Sequence, residues 1–593
     1  MADAFDAGAV FSQLQRILTH AVALAYSLKP ERSVFMAYFR PRADLATHAV
    51  TNQPPPLEDV NLFEGDAGLK DAAAAHGGGA HREGGAHRDR LSRFGARCGG
   101  AEALEWARQA NAHPPQLKSF DRYGQRLDEV EFHPAYHALM DLGLSSGYAS
   151  LAWTGEDGGH VAHAAMVYLQ AGLEPGVGCP MTMTYAAAPA LRHAPEIARE
   201  WTPRITAGAY DGRFLPSADK KAATMGMAMT EKQGGSDIRA NATQAVHIGA
   251  DEYELTGHKW FCSAPMCDAF LTLAQTGDGA GVTCFLAPRW RPDGTRNPFH
   301  IMRLKDKMGD RANASSEIEY HRTYARRVGE EGRGVRTIID MVQHTRLDCV
   351  AGSAGGMRAA LAQALWHTAH RTAFQKKLID QPAMAAVLAD LALEVEAATA
   401  LAMRIAGGFD RAASDEREAA FVRLATPIAK YWVCKRQPGV VYEALECHGG
   451  AGFVEEGPMP RLFRQSPLNA IWEGSGNVIA LDILRALARE PDSLEAVRME
   501  IAGAKGGNAH LDRHIGKLDG WFRPGALNEQ TARAFAEDMA LALEAAALRA
   551  SAPEAVFDGF CNARLDETRR AYVYGAAAAA VDARAVIERA LPR

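Results

Sequence analysis

The sequence predicts an α+β protein in which helical domains precede and follow a β domain. Residues 101–223 carry apolar side chains at helical spacing, with prolines near the ends of the predicted helices. From Gly226 the pattern changes to short, partly alternating apolar runs separated by Gly, Asp and Pro turns, which is typical of strands. After Gly334 the helical spacing returns in long segments rich in Ala and Leu.

A chain of 593 residues exceeds what one hydrophobic core supports, so we predict several domains. We expect an N-terminal extension, an N-terminal α domain, a middle β domain, a C-terminal helical bundle and an additional helical domain. Their predicted bounds are 1–47, 48–224, 225–330, 331–487 and 488–593. The extension holds a helix-like segment followed by a basic stretch, and we assign it no role.

Residues 74–100, inside the N-terminal α domain, are rich in Ala, Gly and His. This composition favours a mobile surface insertion with no core of its own. His76, His81 and His87 are candidate metal ligands by residue type. No cysteine or carboxylate lies at ligand spacing beside them, so a solvated loop is the preferred interpretation and no metal site is predicted.

The composition is that of a soluble globular protein, with 47% hydrophobic and 23% charged residues. A formal net charge of −6 gives no overall attraction to nucleic acid or to an anionic membrane. Nine cysteines without a C-x-x-C pair fit a reducing cytoplasm better than a disulfide framework. We find neither an apolar run long enough to cross a bilayer nor a signal peptide, so we expect a cytoplasmic protein without membrane contact.

The stretch 469–477, N-A-I-W-E-G-S-G-N, contains the strongest candidate catalytic residue. Glu473 lies between the bulky Ile471 and Trp472 and a turn of small residues. Such a setting removes water from a carboxylate, raises its pKa and lets it accept a proton near neutral pH. The alternative is an acid that only faces the dipole at a helix N-terminus.

Three further stretches predict a ligand site. Residues 229–237 (M-T-E-K-Q-G-G-S-D) offer hydroxyls and glycines that allow close approach of a phosphate, although the same letters make an ordinary turn. Residues 257–263 (G-H-K-W-F-C-S) place an aromatic ring near a hydroxyl, suited to a flat heterocycle or to a core. Residues 446–453 (E-C-H-G-G-A-G-F) lack G-x-G-x-x-G spacing and a preceding strand, which excludes a Rossmann loop.

Helix, β block and helix with these four stretches in this order resemble the acyl-CoA dehydrogenase flavoprotein family. The resemblance covers roughly residues 50–487. It implies an N-terminal helical bundle, a middle β-barrel or sandwich and a C-terminal four-helix bundle. Within the family, the sequence is most similar to the members associated with the adaptive response to DNA alkylation, through residues 304–315 (L-K-D-K-M-G-D-R-A-N-A-S) and the helical tail.

The resemblance implies FAD as cofactor and Glu473 as the base that removes the α-proton of an acyl-CoA thioester. The backbone N–H of Glu473 is expected to hold the thioester oxygen, and a hydride is expected to pass from the β-carbon to the flavin. Substrate contacts are implied for Ser236, Arg346 and Trp472, although a structural salt bridge explains Arg346 equally well. Implied cofactor contacts are Met229, Thr230, Gly235, Ser236, Phe261, Ser263, Arg371, Phe374, Gly449, Gly450, Ser475 and Asn477.

Arg371 and Phe374 match residues that reach the FAD of a neighbouring subunit, so a homotetramer is expected. Trp472 stands where ordinary members mostly carry Tyr, and its larger ring should narrow the acyl pocket. Glu446 stands where they carry Gln, and an acid beside the adenylate phosphates repels them unless it is paired. The predicted function is therefore dehydrogenation of a short or branched acyl-CoA with low turnover.

The alternative is a flavoprotein that binds duplex DNA through residues 488–593 and protects it during alkylation stress. Proteins that hold phosphate backbones usually present a basic stripe. The tail holds fourteen Lys/Arg against sixteen Asp/Glu, which favours a role in tetramer assembly instead. Any stripe must come from folding six cations onto one face, namely Arg498, Arg513, Lys517, Arg564, Arg569 and Arg570.

Overall fold

The computed structural model describes residues 44–277, 281–568, 573–577 and 581–593. Its contacts separate the chain into two compact units, residues 1–53 and 54–593. The predicted helix-like segment at 10–26 lies outside the described residues. Because the contacts divide 54–593 no further, the predicted domain bounds inside it stay predictions.

Helices α1–α7 and a small hairpin form the N-terminal part of the second unit. The helices are Ala67–His76, Ala86–Cys98, Ala101–Ala112, Pro134–Ser146, Gly159–Leu173, Gly178–Leu191 and Pro195–Ile205, and the hairpin strands β1 and β2 are Gln116–Phe120 and Arg126–Glu131. The predicted helical character is confirmed, and prolines begin α4 and α7 as helix-starting residues do. The hairpin was not predicted. Leu117 lies opposite Val130 in it, within a stretch whose neighbours are helical.

The prediction of a mobile loop over residues 74–100 is wrong. Helix α2 fills half of this stretch, and its apolar residues Leu91, Phe94 and Cys98 lie three or four apart and are buried. His81 and His87 are buried too, with ring centroids 5.0 Å apart, and His81 Nε2 lies 2.9 Å from the carbonyl oxygen of Gly158. Five of the glycines, at positions 77–79, 84 and 85, lie in the short connection between α1 and α2, whereas Gly95 lies within α2.

The middle of the chain folds into a β-barrel. Strands β3–β9 are Met225–Ala228, Gln244–Gly249, Glu252–Ser263, Ala269–Thr276, Gly281–Pro288, Phe299–Leu304 and Ser315–Val328. The pairings β6–β4, β4–β5, β5–β9, β9–β7 and β7–β6 close a ring. Strand β3 adds to β6 in parallel, and β8 adds to β9 antiparallel. The predicted middle β domain is confirmed, and of its two predicted forms, a barrel or a sandwich, the closed ring is a barrel.

Long helices follow the barrel. Helices α8–α12 are Gly334–His370, Pro382–Arg411, Glu416–Glu446, Met459–Gln465 and Gly476–Arg489, and a short hairpin of β10 (Thr372–Ala373) and β11 (Lys376–Lys377) follows α8. Helices α8, α9 and α10 pack side by side, and α12 packs on α10. Asp415 caps α10 by accepting hydrogen bonds from the backbone N–H groups of Arg417 and Glu418. This is the predicted C-terminal bundle.

The tail packs on this bundle. Helices α13–α17 are Pro491–Ala502, Ala509–Leu518, Ala532–Ser551, Glu554–Arg564 and Ala583–Ala590. Helix α15 lies against α9, α10 and α12. Buried Arg564 of α16 pairs with Asp390 and Glu394 of α9 at 2.5 and 2.8 Å, which fastens the tail to the bundle. None of the helices that the structure describes is long and apolar enough to span a bilayer.

Candidate active site

The Glu473 loop, residues 471–475, joins α11 to α12 and carries the predicted base. Its backbone is left-handed at Glu473, with φ of 58°, and at Gly474, with φ of 105°. Glycine adopts this conformation freely, whereas it costs a residue with a side chain about 1 kcal/mol or more. Such conformations persist only where the surroundings enforce them, so the contacts of this loop determine where the carboxyl of Glu473 points.

Two cations hold three successive carbonyl groups of the loop. Lys430 of α10 is 1% exposed and donates hydrogen bonds to the carbonyl oxygens of Trp472 at 2.8 Å and Gly474 at 2.5 Å. Arg346 of α8 donates through Nε to the carbonyl oxygen of Glu473, at 3.2 Å. The guanidinium of Arg346 also pairs with Asp482 of α12 at 2.7 Å. The loop is therefore tied to both long helices that flank it.

The carboxyl of Glu473 is enclosed, although part of the residue remains accessible to solvent. Burial raises its pKa above the ordinary value for glutamate. The Thr345 hydroxyl, which donates to Oε2 at 2.7 Å, and the charges of Arg346 and Lys430 lower that pKa in part, but burial prevails. A carboxylate with a raised pKa is a stronger base than an exposed one.

Trp472 is fixed by a chain of hydrogen bonds that starts at its indole. Nε1 donates to Asn469 Oδ1 at 2.8 Å, and Asn469 Nδ2 donates to the Ser353 hydroxyl of α8 at 3.0 Å. The indole beside Glu473 therefore has a set orientation, which suits a side chain that shapes a substrate pocket.

A second group forms where the loop after β3 meets the end of β5. The backbone N–H of Trp260 donates to the carbonyl oxygen of Thr230 at 2.8 Å, which brings Met229 and Thr230 alongside Phe261 and Ser263. Phe261 is 50% exposed, unusual for a large apolar ring, so one face is available to a flat ligand.

The loop after β3 also contains Gly235 and Ser236, which the sequence analysis predicts to contact the cofactor. At Gly235 a side chain would meet the Thr230 hydroxyl at 2.8 Å, so any larger residue would have to displace the Thr230 side chain. Ser236 next to it is exposed. A close, side-chain-free backbone beside a free hydroxyl is a suitable surface for a phosphate or a ligand at the entrance of a pocket.

A buried ion pair anchors this loop, and the sequence analysis missed it. Lys259 of β5 and Glu231 are both 0% exposed, with Nζ and Oε1 2.7 Å apart. Glu231 also accepts a hydrogen bond from the backbone N–H of Ala242 at 2.6 Å. The pair lowers the pKa of Glu231 to about 2, although its own burial opposes this. Burial lowers the pKa of Lys259 to about 8.

The other predicted residues lie at the ends of helices. Ser475 precedes α12 without a capping hydrogen bond from its side chain, and Asn477 Oδ1 accepts from Arg533 of the tail at 3.3 Å. Gly449 has φ of 59°, and side chains built at Gly449 or Gly450 would meet nothing within 4 Å. These positions border open space that a ligand can fill.

Arg371 and Phe374 are not brought to Glu473 within one chain. Arg371 precedes the hairpin at the C-terminal end of α8 and Phe374 lies in its turn, whereas Thr345 lies in the first half of α8. The 25 residues from Thr345 to His370 correspond to roughly 37 Å of helix. Phe374 is 94% exposed. A contact with the cofactor of a neighbouring subunit stays a prediction.

Family models match three stretches of the chain. The adaptive response protein AidB N-terminal domain matches residues 52–212, the acyl-CoA dehydrogenase middle domain matches 226–323, and the acyl-CoA dehydrogenase C-terminal domain matches 332–488. These matches follow the N-terminal helices, the barrel and the bundle, and they end where the tail begins.

Full-length relatives agree with these matches. AidB of Escherichia coli (strain K12) is 43% identical over 480 residues, which cover 80% of this chain and 87% of AidB. Acyl-CoA dehydrogenase family member 11 of Caenorhabditis elegans is 31% identical over 447 residues, 72% of this chain and 71% of that protein. The crystal structure of C. elegans ACDH-11 in complex with C11-CoA has a TM-score of 0.78 at 25% identity and covers 93% of both chains. The chain therefore belongs to the acyl-CoA dehydrogenase family of FAD-dependent oxidoreductases acting on CH–CH donors, among the members that carry an AidB N-terminal domain.

Proposed function

We propose that the protein dehydrogenates an acyl-CoA thioester between Cα and Cβ, with Glu473 as the base. The observation that supports this most directly is the enclosed carboxyl of Glu473, which has a raised pKa in a loop that two cations hold in place. A carboxylate in that state accepts a proton from a weak carbon acid more readily than an exposed glutamate does. FAD, when bound, supplies the acceptor for the hydride that leaves Cβ, and the Cα–Cβ bond becomes a trans double bond.

The residues present fit FAD. Half-exposed Phe261 offers a ring face to a flat heterocycle, and Thr230 and Ser263 offer hydroxyls beside it. Open space at Gly449 and the uncapped start of α12 suit the phosphate part of a dinucleotide. We assign Met229, Thr230, Phe261 and Ser263 to the isoalloxazine side, and Gly235, Ser236, Gly449, Gly450, Ser475 and Asn477 to the remainder of the cofactor.

Groups around Glu473 would contribute to proton removal in different ways. Thr345 holds Oε2, which leaves Oε1 to take the proton from Cα. The backbone N–H of Glu473 would donate to the thioester oxygen as it gains charge, a contact worth roughly 3 kcal/mol. Arg346 supports the loop through the Glu473 carbonyl and Asp482, and its contact with substrate stays a prediction.

We propose short or branched acyl groups as substrates because the fixed indole of Trp472 lies next to the base. Titration of the purified protein with a series of acyl-CoAs should bleach the flavin most with the shorter or branched thioesters. Trp472→Ala is expected to raise kcat/KM for octanoyl-CoA relative to butyryl-CoA by roughly tenfold or more, because a few methylenes gain room. The matched variant Trp472→Tyr should shift this ratio less. An unchanged ratio in the alanine variant would remove Trp472 from the pocket.

Binding of duplex DNA by the tail is the second candidate, and the ion pairs of the described cations argue against it. Arg498 pairs with Asp519 at 2.8 Å, Lys517 pairs with Glu567, and Arg564 is buried between two acids of α9. Of the six cations, Arg513 is described without an ion pair to an acid, and it donates to His510 Nδ1 at 2.8 Å. Arg569 and Arg570 lie outside the described residues. Cations already paired with carboxylates add little attraction for phosphate. We therefore propose that the tail supports the bundle in a homotetramer.

Light scattering after size exclusion at low salt tests both proposals for the tail. The expected mass is four times the chain mass of 63.9 kDa, and duplex DNA should leave it unchanged. A complex with DNA whose affinity falls steeply as the salt concentration rises would instead support the DNA-binding alternative. Counterion release makes such binding salt-dependent. A monomer would contradict the tetramer.

A further inference from the structure

Lys430 lies inside the bundle at the centre of α10, and its ammonium contacts the Glu473 loop without touching the reacting atoms in the function proposed so far. It is surrounded by apolar neighbours on its own helix, among them Ile428, Ala429 and Val433, all 0% exposed. Across the residues that the structure describes, no carboxylate forms a salt bridge with its ammonium. A buried ammonium without a paired carboxylate is rare in proteins. Its cost must be offset by the hydrogen bonds that it makes.

Those hydrogen bonds lie on both sides of Glu473. The ammonium donates to the carbonyl oxygens of Trp472 and Gly474, and Arg346 takes the carbonyl between them. Three consecutive carbonyls are thus fixed by two cations from two helices. This accounts for how Glu473 keeps its left-handed backbone, which an unsupported glutamate would leave.

Resting on the proposed function of Glu473 as the base, we propose that Lys430 is a positioning residue that holds the Glu473 loop through the carbonyl groups on either side of Glu473, where its positive charge also favours the carboxylate form of the base. Arg346 contributes positive charge at Glu473 as well, and its guanidinium also pairs with Asp482 at 2.7 Å. Lys430 forms no such ion pair among the described residues, so no carboxylate at ion-pairing distance offsets its charge.

The other charged or titratable groups around Glu473 are few. Helix α8 contributes Arg346 and the buried thiol of Cys349, α10 contributes Lys430, and α12 contributes Asp482 through Arg346. Removal of Lys430 should therefore favour the protonated form of Glu473. The acid limb of the rate profile, which follows deprotonation of the base, should move to higher pH.

The test compares Lys430→Met and Lys430→Arg with wild type, each loaded with FAD. For Lys430→Met we expect flavin reduction by acyl-CoA to slow about tenfold or more, with the change in kcat rather than KM. The acid limb should rise by about one pH unit. Hydrogen exchange in peptides over residues 468–477 should become faster. Lys430→Arg, which keeps the charge, should restore the acid limb while regaining only part of the rate.

Val433→Ala is the matched control, because it weakens the same buried stretch of α10 without touching the loop carbonyls. It should lower the melting temperature but leave both the acid limb and the exchange at 468–477 unchanged. Lys430→Met with wild-type rate, limb and exchange would overturn the proposal. If that variant does not fold, Lys430→Gln decides, and wild-type behaviour in Lys430→Gln overturns it equally. Wild-type protein that acyl-CoA cannot reduce would contradict the function of Glu473 itself, a separate outcome.

Discussion

Glu473→Gln protein is expected to retain FAD and to lose reduction of the flavin by acyl-CoA. The amide has nearly the shape of the carboxylate and still accepts the hydrogen bond that Thr345 donates at 2.7 Å in the wild type. It cannot take a proton, so the rate of bleaching in a stopped-flow experiment should fall by about 10³–10⁴-fold. The spectral shift on substrate binding should remain, because the pocket is unchanged.

The rate of flavin reduction should also depend on pH in a defined direction. Only the deprotonated carboxylate acts as base, and the pKa of Glu473 is raised by burial. The wild-type rate should therefore increase with pH through a value above the ordinary glutamate pKa, and the residual rate of Glu473→Gln should lack this limb. Glu495→Gln, which alters an exposed glutamate of α13, is the control and should change the rate less than twofold. Normal bleaching in Glu473→Gln would remove this residue as the base.

The fold could be predicted because its signals are local: the spacing of apolar residues marks helices and strands. An acid between bulky and small residues made Glu473 a candidate, the family resemblance implied its role as base, and that role stays a prediction. The supports of the site could not be predicted, since Lys430 reaches Trp472 across 42 residues and Lys259 reaches Glu231 across 28. The sequence shows Lys430 as a lone lysine inside the apolar stretch around Ile428, but this pattern does not indicate which groups its ammonium contacts.

The error over residues 74–100 has a different cause. A high content of glycine and alanine suggests mobility, but the spacing of Leu91, Phe94 and Cys98 in the same stretch gives a helix with one apolar face to bury. Helix formation depends on the face that a segment can bury more than on average composition. The histidines there, instead of facing solvent, pack into the domain.

Lys259→Met is expected to lower the stability of the barrel by about 3–5 kcal/mol, because it leaves the carboxylate of Glu231 buried without its cation. The intact Lys259–Glu231 ion pair contributes little net stability to the folded barrel. Burial of the ammonium is unfavourable, as its pKa of about 8 indicates, and this offsets the gain at Glu231, whose pKa falls to about 2. Removal of Lys259 leaves the unfavourable burial of the Glu231 carboxylate in place but abolishes its attraction to the ammonium. Native-state hydrogen exchange in peptides over Glu252–Ser263 measures the loss.

The sign of the pH dependence separates this explanation from a simple packing defect. Without Lys259, the pKa of Glu231 should lie above its unfolded value, so the folded state binds the extra proton and the penalty shrinks as pH falls through that range. A packing defect would not vary with pH. Adding Glu231→Gln to Lys259→Met should recover part of the stability, because no charge is then left buried. Lys232→Met, at the exposed neighbouring lysine, is the matched control, and its stability should stay within about 0.5 kcal/mol of wild type.

Lys259→Met should also bind FAD more weakly, because Met229 and Thr230 lie on the loop that the ion pair anchors. A variant with wild-type hydrogen exchange and full FAD content would show that the ion pair does not anchor the loop.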